Sequence, residues 1–431
     1  MTWPDFQKVL PATARVNAAG HLEIGGTDTL ELAREFGTPL FVCDLRDVRE
    51  RIRRYRDAFG GGNVYYASKA FLVKGFAKIV NEEGLGMDCV AGGELYVALA
   101  AGFPSDRIEI HGNNPAREEL VEAVRAGVSH VVVDSLAEIE MLDGVARGLS
   151  ARLPVLVRIT PGVEVHTHSY LMTGIEDSKF GFTIGDVAMA GVEAAARARG
   201  LDLIGLHSHV GSQTYDLEPF AEAARKMVAF LADARRRTKR QLPHLDLGGG
   251  LGIAYTPDDE PPPVEDLAKV LSETVAAASE RADTPAPTMS VEPGRSIVGP
   301  SMVTLYTCGV VKDVPGVRRY VAVDGGMSDN IRVPLYQARY TFLSAARPDA
   351  AHDRACTIAG KLCETGDLLG ETSLPDVEPG EVIACAATGA YGYAMASNYN
   401  KQPRPAVVGV ADGDVTVLAR RETYGDLTRL E

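Results

Sequence analysis

The sequence of 431 residues has little of what marks several common protein classes. Its six cysteines form no C-x-x-C pair, so a zinc ribbon or a dithiol redox couple is not indicated, and free thiols in a reducing compartment are the simplest interpretation. No apolar run approaches the ~20 residues that a membrane span needs. The first residues, "MTWPDFQKVL", carry neither the basic segment nor the apolar core of a signal peptide. We therefore expect a soluble, cytoplasmic protein.

Positive charge is also in deficit. The chain has 44 lysines and arginines against 58 aspartates and glutamates, which gives a formal net charge of −14. Such a surface repels phosphate backbones and anionic lipid headgroups, so nucleic acid and membrane are not expected partners.

What is present is a regular alternation of short apolar runs with amphipathic segments. The candidate strands are "VYYAS", "GMDCV", "IEIHG", "HVVVDS", "LPVLVRIT", "LIGLHSHV", "HLDLGGG" and "TMSVEPG". Between them lie helical patterns such as "PAREELVEAVRAG", with proline near its start and glycine at its end. Eight strands that are each linked to a helix predict parallel pairing and a (β/α)8 barrel.

The pattern changes after about Ser296. The following segments are β-branched, closely spaced and separated by Gly, Asp and Pro: "SMVTLYTCGVV", "RRYVAVDGG", "EVIACAAT" and "PAVVGVADGDVTVLARR". They predict a C-terminal β domain, sandwich-like or barrel-like, which the N-terminal "ARVNAAGHLEIGG" completes. The expected domains are a barrel at 38–295 and a β domain formed by 1–37 and 296–431.

A barrel predicts where the functional side chains meet, because active sites of such barrels form at the carboxyl ends of the strands. The carboxyl ends of different candidate strands carry residues that we expect to converge at this end of the barrel. They are Lys69, Asp88, His111, His209, Gly248, Gly249, Gly250 and Glu292. The neighbouring Lys74 and Lys78 have helical spacing and are expected on a solvated helix face.

Three successive glycines follow the strand in "LDLGGGLGIAY". Backbone N–H groups in such a run can approach a phosphate closely, although a tight barrel turn explains the same glycines equally well. In "VEPGRS", Gly294 and Arg295 can add phosphate contacts, and Glu292 provides a carboxylate. A lysine, a phosphate-binding turn and an inward carboxylate together predict pyridoxal 5′-phosphate (PLP), held through the lysine, with the carboxylate keeping the pyridine nitrogen protonated. A protonated pyridine is a strong electron sink, so loss of CO2 from an amino acid becomes feasible.

The chain resembles the diaminopimelate decarboxylases of the alanine-racemase-like, fold-type III PLP family. The resemblance runs in order through nearly the whole chain, in "YYASKA", "GLGMDCVAGGEL", "VHTHSYLMTGIEDSKFGF", "GLHSHVGSQ", "LDLGGGLGIAY", "VEPGRSIV", "VAVDGGMSDNIR", "LCETGD" and "ATGAYGYAMASNYN". It implies removal of CO2 from meso-2,6-diaminopimelate to give L-lysine, by a homodimer whose active sites are shared between chains.

The resemblance also implies roles for single residues. Lys69 matches the lysine that carries the cofactor as a Schiff base, and His209 matches the histidine that stacks on its ring. The other implied cofactor-binding residues are Asp88, Ser212, Gly248, Gly249, Gly250, Glu292, Pro293, Gly294, Arg295 and Tyr391. A satisfied core histidine, or a metal pair with His207, are the alternatives for His209; without an evident third ligand, no metal is expected. His166 and His168 are expected to be structural.

Diaminopimelate carries a second amino-acid centre, so the far end of its pocket must bind an ammonium and a carboxylate together. The resemblance assigns this end to Arg295, Arg332, Tyr336, Glu364 and Tyr391. Two guanidinium groups suit the carboxylate and one carboxylate suits the ammonium. The alternative for Arg332 is a surface salt bridge of little energetic value.

Cys363 is the expected catalytic acid that protonates Cα after CO2 leaves, and it is expected to reach the site of the other subunit. A buried, inert cysteine is the alternative.

The sequence departs from the family pattern beside Arg332, with Val333, Pro334 and Gln337, which leaves substrate preference open. Two other functions compete: decarboxylation of another basic amino acid, and a catalytically silent PLP-binding homologue, although Lys69, Cys363 and Glu292 are all present. A racemase is disfavoured, because racemisation gains from a weaker electron sink.

Overall fold

The computed structural model describes residues 1–60, 63–163 and 178–431. Its contacts divide the chain into two compact units. We call them the barrel unit, formed by Ile52–Gly252 and Pro261–Gly294, and the β unit, formed by Met1–Arg51, Ile253–Glu260 and Arg295–Glu431. The predicted domain boundaries at residues 38 and 295 stay a prediction.

The strands in the described ranges are β1 Arg15–Val16, β2 Leu22–Ile24, β3 Thr27–Asp28, β4 Leu40–Asp44, β5 Tyr65–Ala67, β6 Gly86–Cys89, β7 Ile108–His111, β8 His130–Val133, β9 Leu153–Thr160, β10 Phe182–Thr183, β11 Leu201–His207, β12 His244–Asp246, β13 Thr288–Ser290, β14 Met302–Val314, β15 Arg318–Val323, β16 Phe342–Ser344, β17 Arg354–Ala359, β18 Leu368–Leu374, β19 Val382–Cys385, β20 Ala406–Ala411 and β21 Asp414–Ala419.

The helices in the same ranges are α1 Trp3–Gln7, α2 Thr29–Phe36, α3 Leu45–Ala58, α4 Lys74–Glu82, α5 Gly92–Ala100, α6 Arg117–Ala126, α7 Leu136–Gly148, α8 Asp186–Arg197, α9 Glu218–Thr238, α10 Val264–Arg281, α11 Arg295–Val298, α12 Arg332–Tyr336 and α13 Tyr424–Leu427. None of these combines the length and the apolar character needed to cross a lipid bilayer.

The barrel unit contains a parallel sheet with the strand order β13-β12-β11-β9-β8-β7-β6-β5, and β10 pairs with β9. The first and last strands of the sheet, β5 and β13, are also joined. The backbone N–H of Tyr65 donates to the carbonyl of Val291 at 2.9 Å, and the backbone N–H of Ala67 donates to the carbonyl of Pro293 at 3.1 Å. The sheet therefore closes into a barrel, which confirms the predicted fold class. Every predicted strand of the barrel is present.

Local sequence explains the helices between these strands. In α7, the side chain of Ser135 accepts a hydrogen bond from the backbone N–H of Glu138, which satisfies one free donor of the first turn. Helix α6 ends at Gly127 in the left-handed conformation, with φ 69°, where glycine has no steric cost. Strands β8 and β9 are buried on both faces along nearly their whole length, which explains their long apolar runs.

The β unit is built on a mixed sheet with the order β18-β17-β15-β14-β4-β20-β21; β19 also pairs with β14, and β16 pairs with β19. The N-terminal strands β1, β2 and β3 form a small sheet of their own. Leu22 and Ile24 of that small sheet are buried in the same hydrophobic core as Val303 and Leu343. The N-terminal segment thus completes the core of the β unit, as predicted.

Candidate active site

Lys69 follows strand β5 directly, in a single 3₁₀ turn at Ser68–Ala70. Its Nζ lies 3.4 Å from Oδ2 of Asp88, which stands on the neighbouring strand β6 and is fully buried. The Lys69 side chain is 36% exposed, so its amine is accessible to a small molecule while a carboxylate holds it. Gly294 packs beside this turn: a Cβ there would lie 3.0 Å from the Cβ atoms of Ala67 and Ala70.

Asp88 also meets His111, the last residue of strand β7. The His111 Nε2 lies 3.5 Å from Oδ1 of Asp88. Burial raises the pKa of the Asp88 carboxyl, but His111 and Lys69 outweigh it, so that pKa lies below its ordinary value. Asp88 is therefore ionised and balances the charge of Lys69.

Glu292 is the second buried carboxylate at this end of the barrel. Its Oε1 lies 2.8 Å from Nε2 of His207, the last residue of β11, and both side chains are buried. Burial lowers the pKa of His207 to about 3, so the ring is neutral and donates its Nε2–H to the carboxylate. Burial also raises the pKa of Glu292, which is the expected effect on a carboxylate held in the barrel interior.

A further carboxyl group, that of Glu109 on strand β7, lies beside Glu292. Ligand atoms of Glu109, Glu292 and Asp88 lie within 4.8 Å of one another. Burial, followed by the charge of Glu292, raises the pKa of Glu109 well above its ordinary value. Two carboxylates this close disfavour double ionisation, so the pair favours holding one proton between its two groups.

The glycine run after strand β12 is closely packed against protein backbone. A Cβ on Gly249 would lie 2.2 Å from the carbonyl oxygen of Glu292, and one on Gly250 2.3 Å from that of Gly211. Gly248 has φ +69° and Gly250 φ +124°. Tight packing alone thus explains these glycines, so their role toward a phosphate stays a prediction.

His209 is half-buried and lies against the same turn. Its Nδ1 accepts a hydrogen bond from the backbone N–H of Gly249 at 3.2 Å. Burial and the charge of Lys69 hold the pKa of His209 well below its ordinary value, so the ring is neutral. Ser212, two residues beyond Val210, is partly buried in the loop that follows, and Pro293 is buried next to Glu292.

The β unit contains a second cluster, built around the phenol of Tyr255. Arg295 Nη1 donates to the Tyr255 hydroxyl at 2.5 Å and Arg332 Nη1 donates to it at 2.9 Å. Arg332 also donates to the hydroxyl of Tyr340, and Arg295 lies over the ring of Tyr391 with 4.8 Å to its centroid. Both guanidinium groups are buried, at 5% and 3% exposure. Arg332 is therefore not part of a surface salt bridge.

Cys363 and Glu364 lie on an exposed loop between β17 and β18. The backbone N–H of Cys363 donates to Oδ1 of Asn400 at 3.4 Å, and the hydroxyl of Tyr399 donates to Glu364. The buried carboxylate of Asp367 fixes the base of this loop, since it accepts hydrogen bonds from the backbone N–H groups of Leu362 and Met327 at 2.8 and 2.6 Å. Cys363 is exposed and therefore not the buried thiol of the alternative interpretation, and its role as an acid stays a prediction.

The unusual residues beside Arg332 fall within and after the short helix α12. Pro334 occupies the first turn, where a missing N–H is tolerated. Gln337 is the C-terminal cap and has φ 54° and ψ 33°, a left-handed conformation that glycine adopts more easily. Tyr336, the last residue of α12, is partly buried.

The predicted site residues thus fall into two groups. The barrel unit brings together Lys69, Asp88, His209, Gly248, Gly249, Gly250 and Glu292. The β unit brings Arg295, Arg332 and Tyr391 into one cluster, with Glu364 and Cys363 on a separate loop. The motif with His166 and His168 lies largely outside the described residues. Tyr255, Tyr340 and the contact of His207 with Glu292 were not predicted; the position of Tyr255 at the end of the glycine-rich motif was the available signal.

The barrel residues fit PLP by the chemistry of their donors and acceptors. An accessible amine (Lys69) and a buried carboxylate (Glu292) correspond to the aldehyde and the pyridine nitrogen of that cofactor. Several buried polar atoms nearby have no hydrogen-bond partner in the described part of the chain: Asp88 Oδ1, His111 Nδ1, His207 Nδ1 and Ser208 Oγ. Such atoms are expected to gain a partner, and a polar ligand can supply it.

Known proteins agree with this chemistry. A family model described as "Pyridoxal-dependent decarboxylase, pyridoxal binding domain" matches residues 45–299. The chain is 47% identical to the diaminopimelate decarboxylase of Bacillus subtilis (strain 168), with 98% of each chain covered. It is 47% identical to that of Mycobacterium tuberculosis, with 98% of this chain and 97% of the relative covered. The crystal structure of the M. jannaschii diaminopimelate decarboxylase in co-complex with L-lysine is similar with a TM-score of 0.89 and 33% identity, over 97% of both chains.

The fold and the barrel site define a PLP-dependent decarboxylase of the parallel-barrel type. Within that class, the chain belongs to the diaminopimelate decarboxylase family.

Proposed function

We propose that this protein removes CO2 from meso-2,6-diaminopimelate and releases L-lysine, with PLP as its cofactor. The observation that carries the proposal is the accessible amine of Lys69 beside two buried carboxylates, in a chain that matches the named decarboxylases over nearly its full length. The reaction is the last step of lysine biosynthesis.

The residues of the barrel unit have distinct tasks in this proposal. When bound, PLP supplies an electron sink for the electron pair that remains at the substrate Cα after CO2 departs. Lys69 is the point of covalent attachment, and Asp88 keeps its amine oriented. Glu292 holds a negative charge for the pyridine nitrogen, and His207 fixes the orientation of that carboxylate. His209, Ser212, Pro293, Gly294 and the Gly248 to Gly250 turn complete the proposed cofactor-binding set.

The β unit supplies the proposed recognition of the substrate's distal centre. Arg295 and Arg332 bind the distal carboxylate, and Glu364 binds the distal ammonium. Burial of Arg332, whose side chain donates to phenol hydroxyls in the described part of the chain, supports this assignment, because a buried cation is costly unless an anion compensates it. Tyr336 and Tyr391 are the remaining proposed substrate contacts.

Cys363 is the proposed acid that returns a proton to Cα. Its loop is exposed, which suits a thiol that acts in a site completed by a second chain. We infer a homodimer with shared active sites and a cytoplasmic location. The −14 net charge supports the absence of nucleic acid and anionic membrane from its partners.

The test is release of CO2 by the purified, PLP-loaded enzyme from four amino acids: meso-diaminopimelate, lysine, ornithine and arginine. We expect release from meso-diaminopimelate to exceed the others by orders of magnitude, with one L-lysine formed per CO2. Preference for ornithine, arginine or lysine would establish the competing function on another basic amino acid. No release from any of them by a protein that retains PLP would establish the catalytically silent homologue.

A further inference from the structure

The hydroxyl of Tyr255 accepts hydrogen bonds from two cationic side chains at once. Arg295 donates to it at 2.5 Å and Arg332 at 2.9 Å, so the two guanidinium groups are held on the same oxygen atom. Both also lie against the Tyr255 ring, with 5.9 Å from Arg295 Cζ and 4.9 Å from Arg332 Cζ to its centroid. One phenol thus sets the separation of two like charges.

The guanidinium groups of Arg295 and Arg332 are both buried. Among the described residues, Arg332 contacts the hydroxyls of Tyr255 and Tyr340, and no carboxylate forms an ion pair with it. Burial of a guanidinium without an anion is unfavourable. Tyr255 reduces that cost, because a phenol oxygen is a good acceptor for charged donors and its ring face attracts cations. Burial raises the pKa of the phenol, but Arg295 and Arg332 outweigh it and lower the pKa of Tyr255.

Tyr255 itself is anchored from several sides. Its backbone N–H donates to Oδ2 of Asp259 at 2.9 Å, and its carbonyl accepts from the hydroxyl of Thr341 at 2.9 Å. Its ring packs edge-on against Tyr340, with 5.2 Å between centroids. A hydroxyl on so constrained a ring can hold two arginine side chains in a fixed geometry.

We propose that Tyr255 is a positioning residue whose hydroxyl holds the guanidinium groups of Arg295 and Arg332 together, so that they form one site for a single carboxylate. The carboxylate is the one that remains on the amino-acid product. This inference rests on the proposed function for the identity of that carboxylate. Without the hydroxyl, the two cations repel each other and separate, and the carboxylate loses one of its two partners.

The test compares two ligands that differ by this carboxylate. L-Lysine carries it and cadaverine lacks it. Binding of each to the PLP-loaded enzyme is measured by titration calorimetry for wild type, for Tyr255→Phe, and for the matched control Tyr340→Phe, which removes a hydroxyl that contacts Arg332 alone. We expect Tyr255→Phe to raise the Kd of L-lysine about tenfold or more, as for a lost hydrogen bond to a charged group, and to leave cadaverine unchanged. Tyr340→Phe should have a smaller effect on L-lysine.

Kinetics give a second readout. For meso-diaminopimelate, Tyr255→Phe should raise KM with little change in kcat, since only substrate binding is weakened. Equal losses for L-lysine and cadaverine, or unchanged L-lysine binding by a folded, PLP-loaded variant, would overturn the positioning role. Failure of the wild-type enzyme to release CO2 from meso-diaminopimelate would overturn the proposed function instead, so the two failures are distinguishable.

Discussion

Replacing Glu292 by glutamine removes one charge from the barrel while keeping its local hydrogen bond. The amide oxygen of glutamine can still accept from Nε2 of His207, which lies 2.8 Å from Oε1 of Glu292, so the fold should be retained. The substitution removes the negative charge of the Glu292 carboxylate, which we propose stabilises the protonated pyridine nitrogen. Loss of one preorganised electrostatic group lowers kcat by roughly 10²–10³-fold, or about 2.7–4 kcal/mol.

The matched control is Glu109→Gln, in the neighbouring buried carboxyl group. Burial and the charge of Glu292 raise the pKa of Glu109, which favours its neutral form, and the proposal gives Glu109 no contact with the pyridine nitrogen. We expect kcat of Glu109→Gln to stay close to wild type, and both variants to retain PLP, as judged by cofactor absorbance. CO2 release under saturating meso-diaminopimelate is the assay. An unchanged kcat in Glu292→Gln, or equal losses in both variants, would refute the electronic role and make Glu292 a structural residue.

Substitutions in the β unit, one of them combined with Lys69→Ala in the barrel unit, test other parts of the account. Arg332→Ala should lower kcat/KM for meso-diaminopimelate, with a loss of several kcal/mol in transition-state stabilisation, and should lower it less for a substrate without the distal carboxylate. Equal losses for the two substrates would indicate a role in folding. Lys69→Ala and Cys363→Ala should each be nearly inactive as homodimers, whereas an exchanged mixture should recover up to about a quarter of wild-type activity, since half of the dimers then contain one intact site. No recovery where subunit exchange is shown independently would refute the shared site. Gln337→Gly should raise the free energy of unfolding by about 0.5–1 kcal/mol, because the roughly 1–2 kcal/mol cost of left-handed backbone exceeds what glycine adds to the unfolded chain; a lower denaturant midpoint would contradict this.

The barrel was predictable because its signal is local and repeated. Each strand is a short apolar run of its own, and the carboxyl end of each run fixes which residue faces the site. Lys69 and Asp88 therefore lie 3.4 Å apart on neighbouring strands although they are 19 residues apart in the chain. In the β unit, the long strand β14 was predictable for the same reason, from a segment rich in β-branched and apolar residues.

Contacts between distant side chains were not predictable in the same way. Strand β4, which pairs with both β14 and β20, is too short and too close to helix α3 to stand out in the sequence. Tyr255 accepts hydrogen bonds from Arg295 and Arg332, which lie 40 and 77 positions away in the sequence. No periodicity encodes such a meeting, because it depends on how separate segments of one unit pack.

The attachment of PLP to Lys69 is the central claim, and borohydride reduction followed by peptide mapping tests it most directly. The purified protein should be yellow, and reduction should fix the cofactor irreversibly on the peptide that contains Lys69. Lys74 is the internal comparison, because it lies five residues away on the exposed start of helix α4. Cofactor found on the Lys69 side chain alone would support the account, whereas cofactor on Lys74, or on no lysine, would contradict it.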